Sequence, residues 1–169
     1  MLGYVSEALV RHADADDAAE LADVFAQSWR LAYTGLIPSD HLDRMIHLRQ
    51  PAWWAKSIAD KDRILVLEVD DEVVGYATCG PLRFRRARGG EIYELYLTPI
   101  YQGLGFGEVL FEGCRHELDQ MQLPGLIVWA LSGNDAAHRF YWDRGGRPVA
   151  EANERFGART LSKIAFRWP

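Results

Sequence analysis

The sequence predicts a mixed α/β fold, with a largely antiparallel sheet flanked by helices. Three features carry that expectation. Residues 63–69 and 73–79 are β-branched runs joined by the short acidic connection Asp70-Asp71-Glu72, the signature of an antiparallel hairpin. Residues 91–98 form a second kind of strand, stopped by Pro99 and followed by Gly103, Gly105 and Gly107 and then by apolar residues at helical spacing. Near the end, residues 148–154 and 160–168 read as two more strands flanking a turn at Phe156-Gly157.

The remaining elements follow in order. Ala8-Leu9-Val10-Arg11 reads as a short first strand. Asp14, Asp16 and Asp17 precede residues 18–31, where Leu21, Val24, Phe25, Ser28 and Trp29 recur at helical spacing, and acids in a first turn suit the helix dipole. The stretch from Tyr33 to Pro38 breaks this helix. Ser39 or Asp40 can cap a second one running to about Leu48, and Pro51 opens a third containing Trp53 and Trp54. After the hairpin, Gly80-Pro81 leads into a loop with Arg83, Arg85, Arg86 and Arg88. The helix beyond Gly107 presents Val109, Leu110, Gly113, Cys114 and Leu118, and residues 122–125 end it. Residues 126–131 are a buried strand, and Asn134 or Asp135 can cap a helix that stops at Gly145-Gly146. No repeat or linker interrupts this order, so one domain over residues 1–169 is expected.

Composition narrows the functions. Nearly half of the 169 residues are apolar and a quarter are charged, as in ordinary globular chains. No apolar run is long enough for a membrane span, and the start lacks a basic patch followed by an apolar stretch, so neither a span nor a secretory signal is expected. A formal net charge of −5 argues against general nucleic-acid binding. The arginine cluster is the local exception; it reads as a solvated loop, with a contact to a phosphate or an acidic partner as the alternative. Cys79 and Cys114 read as small reduced core residues in a cytoplasmic protein. The histidines show no metal-ligand spacing, so no metal is expected, and His116 and His138 read as helix-surface residues.

The glycine turn points to an anion. With every second Cβ missing, the backbone can curl and aim several N–H groups at one point where a helix begins, and first-turn N–H groups lack partners within the helix. The lysine and hydroxyl of a P-loop are missing, and the spacing Gly-x-Gly-x-Gly differs from the dinucleotide-binding Gly-x-Gly-x-x-Gly. A tight connection with nothing bound is the alternative.

Gln102-Gly103-Leu104-Gly105-Phe106-Gly107 resembles the Gln/Arg-x-x-Gly-x-Gly/Ala signature of the GNAT superfamily of N-acetyltransferases. The block from Asn134 to Gly146, Asn-Asp-Ala-Ala-His-Arg-Phe-Tyr-Trp-Asp-Arg-Gly-Gly, is similar to that family's Asn-x-x-Ala-x-x-Phe/Leu-Tyr-x-x-x-Gly-Phe. The resemblance implies a GNAT-like acyl-CoA N-acyltransferase fold and acetyl-CoA as co-substrate. It implies that backbone amides of residues 102–107 hold the pyrophosphate. It also implies a bulge in the strand at residues 91–98 that splays it from the strand containing Trp129. In that slot, backbone groups around Leu95, Tyr96 and Leu97 would pair with the pantetheine arm, and Asn134 would touch it as well as cap its helix.

Acetyl transfer to an amine needs a base, because an alkyl ammonium with a pKa of about 10 is mostly protonated at neutral pH. It also needs donors for the developing oxyanion and an acid for the departing thiolate. The resemblance assigns the acid to Tyr141; a packed tyrosine with a satisfied hydroxyl is the alternative. For the base the residues themselves offer Glu94, which strict alternation places on one strand face with Ile92 and Tyr96, and a carboxylate in an apolar row is costly unless paired, solvated or functional. Glu91, on the opposite face, is the reserve, and a wet sheet edge accounts for either equally well. Some GNAT members that acetylate protein N-termini carry a Glu where this chain has Trp129. The stretch from Trp29 to Pro38 falls where GNAT helices wall the acceptor pocket, so Trp29 and Tyr33 are expected to line it, with cation–π contact as one use. The resulting expectation is a cytoplasmic N-acetyltransferase acting on a small-molecule amine through a ternary complex. A non-catalytic acyl-CoA-binding module and a peptide N-terminal acetyltransferase are the alternatives, and a homodimer is compatible with the sequence.

Overall fold

The computed structural model describes residues 7–84 and 86–169. In chain order they form β1 (Ala8–His12), α1 (Ala18–Tyr33), α2 (Ser39–Leu48), α3 (Pro51–Ala59), β2 (Ile64–Val69), β3 (Glu72–Pro81), β4 (Gly90–Leu97), α4 (Phe106–Gln120), β5 (Leu126–Leu131), α5 (Asp135–Asp143), β6 (Arg147–Phe156) and β7 (Arg159–Trp168). The strands make a seven-stranded sheet in the order β1-β2-β3-β4-β5-β7-β6. Every pairing is antiparallel except β4 with β5, which is parallel. The mixed, mostly antiparallel sheet with flanking helices is therefore as expected.

Local chemistry explains the element ends. The β2–β3 hairpin turns on Asp70 and Asp71, at φ 50° and 65°; two successive left-handed residues match a two-residue turn to the twist of its strands, and a short polar side chain tolerates that backbone. Asn134 caps α5 by accepting from the Ala137 N–H at 3.3 Å. At α2 the expected Ser39 or Asp40 cap is absent: Pro38 takes the cap position, Ser39 is already helical, and no side chain caps the end.

Two cores flank the sheet. On one face α4 and α5 cover Leu65, Leu67, Ile92, Leu97, Val128 and Phe166, together with the free, buried Cys79 and Cys114. On the other, α1, α2 and α3 pack Phe25, Trp54, Val66 and Tyr76, all of them wholly buried. His138, read as a surface residue, instead faces the sheet. Its Nε2 lies 3.0 Å from the Leu131 carbonyl and its ring stands edge-on to Phe166, because α5 lies against β5 and β7.

The alternation in β4 is broken once. Thr78 pairs with Glu94 and Cys79 with Ile92, so Tyr93 is an extra residue, a bulge. Glu94 therefore does not share a face with Ile92: Ile92 enters the α4 core, whereas Glu94 and Tyr96 face α1–α3. By the same shift Glu91, opposite Gly80, lies on the Glu94 face and not on the other one. A bulge resets the period of two, which is why strict alternation misplaced Glu94 relative to Ile92, and the two carboxylates relative to each other.

Gly146 stands where the family motif has Phe, and Trp168 occupies the space. A Cβ on Gly146 would meet the Trp168 ring at 2.4 Å, and that indole is pinned by donating from Nε1 to the Arg144 carbonyl at 2.9 Å. Gly146→Ala is accordingly expected to lower the unfolding free energy by about 1–3 kcal/mol in chemical denaturation, the usual cost of overpacking. An unchanged midpoint would mean that Trp168 is free to move.

Candidate functional site

The site begins where β4 and β5 part. They pair only through residues 90–92 and 126–128. Beyond that the β5-facing backbone of β4 residues 93–97 has no strand partner, and a slot of about 40 Å³ opens between the strands, lined by Tyr33, Glu94, Tyr96, Trp129, Asn134 and Tyr141. The bulge and the splay agree with the expectation drawn from the family resemblance.

On the α4/α5 side the slot opens into a cleft of about 610 Å³. Leu95, Tyr96, Leu97, Gln102, Gly103, Gly105, Gly107, Asn134 and Tyr141 all line it. Leu104 and Phe106 do not line the cleft: Leu104 points to solvent and Phe106 packs against Tyr101, so only their peptide groups are available. The three glycines do different work. Gly103 and Gly105 sit at φ 75° and 88°, a left-handed backbone that curls the loop. Gly107 is within α4, where a Cβ would lie 2.8 Å from the Phe140 ring; its absence lets α5 approach. No side chain caps α4, and Gly105, Gly107 and Glu108 at its start line the cleft, an arrangement whose first-turn N–H groups can receive an anion.

Arg144, a residue the sequence reasoning passed over, adds a cation. Its guanidinium lies 3.8 Å from the Phe140 ring centre and 3.7 Å from Glu108, it lines the cleft, and its Nε is buried with no hydrogen-bond partner among the described residues. Its one sequence signal is a basic residue directly before the terminal glycines of α5.

At the slot, Tyr141 is buried at 6% exposure, and no described residue hydrogen-bonds its hydroxyl. Burial drives its pKa upward, so the phenol keeps its proton. Glu94 lies in an aromatic surround. Its Oε2 accepts from the Tyr76 hydroxyl at 2.5 Å, and its Oε1 accepts from Arg49 at 3.3 and 3.4 Å. Arg49 is itself held over the rings of Trp53 and Phe25, 4.0 and 4.9 Å from their centres. Arg49 and Tyr76 were not singled out from the sequence, because nothing local links residues 45 and 18 positions from Glu94 to it. Tyr33 lines the slot and shares a 2.5 Å hydrogen bond with the Tyr96 hydroxyl. Trp29 lies one layer back, stacked on Phe25 and edge-on to Tyr33.

Glu91 is elsewhere. It is buried and clamped by Arg83, which donates from Nη2 at 2.6 Å and from Nε at 3.1 Å, and it borders a separate cavity on the far face of the sheet. The arginine loop is thus not merely solvated: Arg83 closes on Glu91, and Arg88 donates to the Gln122 carbonyl. Arg85 lies outside the described residues. Among the described residues no group of His, Cys, Asp and Glu could hold a metal, and no helix is long and apolar enough to cross a membrane.

Residues 20–145 match the acetyltransferase (GNAT) family. The chain is 29% identical over 161 residues to the uncharacterized N-acetyltransferase YuaI of Bacillus subtilis (strain 168), covering 95% of this chain and 92% of that protein. It is 31% identical over 139 residues to an uncharacterized N-acetyltransferase of Archaeoglobus fulgidus, covering 78% of this chain and 88% of that one. The crystal structure of PaiA N-acetyltransferase from Thermoplasma acidophilum, in complex with coenzyme A, superposes with a TM-score of 0.73 at 17% identity, covering 93% and 98% of the two chains.

Buried phenols make the site's surroundings sensitive to alkali. Burial pushes the Tyr33 phenol up to about 12 and those of Tyr76 and Tyr96 well above their ordinary value. In the unfolded chain each ionises near pH ~10. The folded state therefore holds more protons between these values, so stability is full below about pH 10 and falls as pH rises through about 12. Denaturant titrations at rising pH, read beside tyrosinate absorbance, test this; flat stability across that window would contradict the burial of these hydroxyls.

Proposed function

The chain belongs to the acetyltransferase (GNAT) family, and on that premise we propose that it transfers the acetyl group of acetyl-CoA to the primary amine of a small molecule, by direct attack with both substrates bound. The observation that carries this reading is the slot between β4 and β5, which brings a proton-bearing phenol, Tyr141, and a carboxylate, Glu94, to one opening. The cleft suits the coenzyme on its own chemistry. Two left-handed glycines, an uncapped helix start and the Arg144 Nε, which has no partner among the described residues, line one cleft where a diphosphate would sit. Bound there, acetyl-CoA supplies an activated thioester carbonyl.

The chain's own groups do the rest. Peptide groups of the Leu95 to Leu97 stretch, paired with β3 on one side and without a strand partner on the β5 side, receive the pantetheine arm as an added strand would be received. Gln102 donates from Nε2 to the Leu97 carbonyl at 3.1 Å and so ties the loop to that strand. Tyr141, kept protonated by burial, donates to the departing sulfur. Glu94 takes the amine proton directly or through one water. Its bonds to Arg49 are long, at 3.3 and 3.4 Å, so an incoming ammonium competes for Oε1 on nearly equal terms. Tyr33, backed by Trp29, forms the apolar wall beside the amine.

A slot this narrow favours a slim amine over a folded protein's terminus, as does Trp129 at the position where N-terminal acetyltransferases of the family carry Glu. Two free, buried thiols suit the reducing cytoplasm.

Free-thiol release from acetyl-CoA across a panel of amines tests the activity. Tyr141→Phe is expected to lower kcat by about 10²- to 10⁴-fold with CoA binding retained. Arg144→Gln should weaken CoA binding by about 10- to 100-fold, the worth of a hydrogen bond to a charged group. Tight CoA binding with no thiol released by any amine would replace this reading with that of a binding module.

A further inference from the structure

We propose that the acceptor is an amine that also carries an anionic group, a carboxylate or phosphate, held by Lys163 on the far face of the sheet, with Arg167 adding positive charge to the same cavity. This deepens the acetyl-transfer reading above and rests on it for the position of the reacting carbon.

The slot has two mouths. Asn134, Ala137 and Tyr141 line both the slot and the cleft on the α4/α5 side. Trp129 lines both the slot and a second cavity, of about 860 Å³, on the opposite face. Side chains alternate along β5 and β7: Val128, Ala130 and Phe166 enter the α4/α5 core, so Trp129, Ala165 and their neighbours Ile127, Lys163 and Arg167 look the other way. Helices α1 to α3 cover that face over β2 to β4 and reach Leu131, Phe156 and Leu161 at one end of β5, β6 and β7, while the remainder of those three strands borders the cavity. With the coenzyme filling the near cleft, the free approach to the slot is from this cavity.

The cavity's charge runs against that of the chain. Its walls hold Arg83, Arg88, Lys163 and Arg167 against Glu91 and Glu154, in a chain whose formal net charge is −5. Glu91 is already taken by Arg83. Lys163 is the telling residue. Its side chain is 23% exposed, its ammonium lies 4.8 Å from the Trp129 ring centre, and it makes a long, 4.0 Å ion pair with the half-exposed Glu154 carboxylate, too far for a hydrogen bond. An ammonium held over the indole that borders the slot, with only a long ion pair among the described residues, is placed to receive an anion at hydrogen-bond distance. Glu94 at the slot offers a carboxylate to the amine end, so a molecule with an amine and an anion a few bonds apart meets complementary charges at both ends. A polyamine would meet cations where its second charge must go.

Calorimetry on the CoA-loaded protein tests this with leucine, leucinamide and isopentylamine, with phosphoethanolamine against ethanolamine, and with spermidine. The anionic member of each set is expected to bind about 10- to 100-fold more tightly than its neutral or cationic counterpart. Lys163→Met should collapse that ratio, and Arg167→Gln, on an exposed position, should reduce it should Lys163→Met disturb Trp129. Equal binding across each set, tighter binding of spermidine, or a ratio untouched by both variants overturns the anionic acceptor. Thiol release measured on the same panel separates the two readings. Release by neutral or cationic amines without anionic preference leaves acetyl transfer standing and removes this inference. Selective binding of the anionic amines with no release by any amine keeps the anion site and removes the transfer reading.

Discussion

The structure depends on one local violation of sheet regularity: the extra residue at Tyr93, after which β4 and β5 no longer pair. Buried backbone polar groups are costly to leave without partners, so a sheet that parts in its middle is stable only where water or a ligand can satisfy the exposed groups. The flanking pairs hold the parted strands. β4 stays paired with β3 to Leu97, and β5 with β7 along its whole length, so the gap is framed by continuous ladders on both sides. The opening is therefore a rigid feature of the sheet and not a frayed edge.

Around this gap the two faces are built with opposite chemistry. The α4/α5 face supplies donors and positive potential: unpaired peptide N–H groups, the start of a helix dipole, and Arg144 flattened on Phe140. The α1–α3 face supplies a dense aromatic shell in which Trp54, Tyr76 and Phe25 have no exposure, and into it are set one carboxylate and one guanidinium, Glu94 and Arg49. A charge pair so enclosed is tolerable because each member is also satisfied otherwise, Glu94 by Tyr76 and Arg49 by the ring faces. The aromatic shell thus fixes the carboxylate's position while leaving its weaker contacts exchangeable.

Departures from the family's sequence pattern are settled by packing. Where the motif has Phe, Gly146 yields its volume to Trp168, a residue more than twenty positions further on, and the indole then ties β7 to the end of α5. The same economy governs Gly107, whose missing side chain belongs to the contact between α4 and α5, while Gly103 and Gly105 alone shape the loop. One glycine signature therefore serves two separate constraints.

What the sequence by itself determined is the order and type of the elements and the location of the glycine loop at the start of α4. Those are encoded by short-range signals: period-two and helical spacing, the Asp70-Asp71 turn, the Asn134 cap and the glycine loop each act within a few residues. The partners of Glu94, the clamp of Arg83 on Glu91, the face on which each carboxylate lies, the role of Arg144 and the cation over Trp129 were decided only by the tertiary structure. The pairing of Arg49 with Glu94 spans 45 residues, and the bulge at Tyr93 shows only in its register with β3, so neither leaves a trace in local composition. Alternation predicts faces only while the ladder stays regular, and here the ladder is irregular at the position that makes the site.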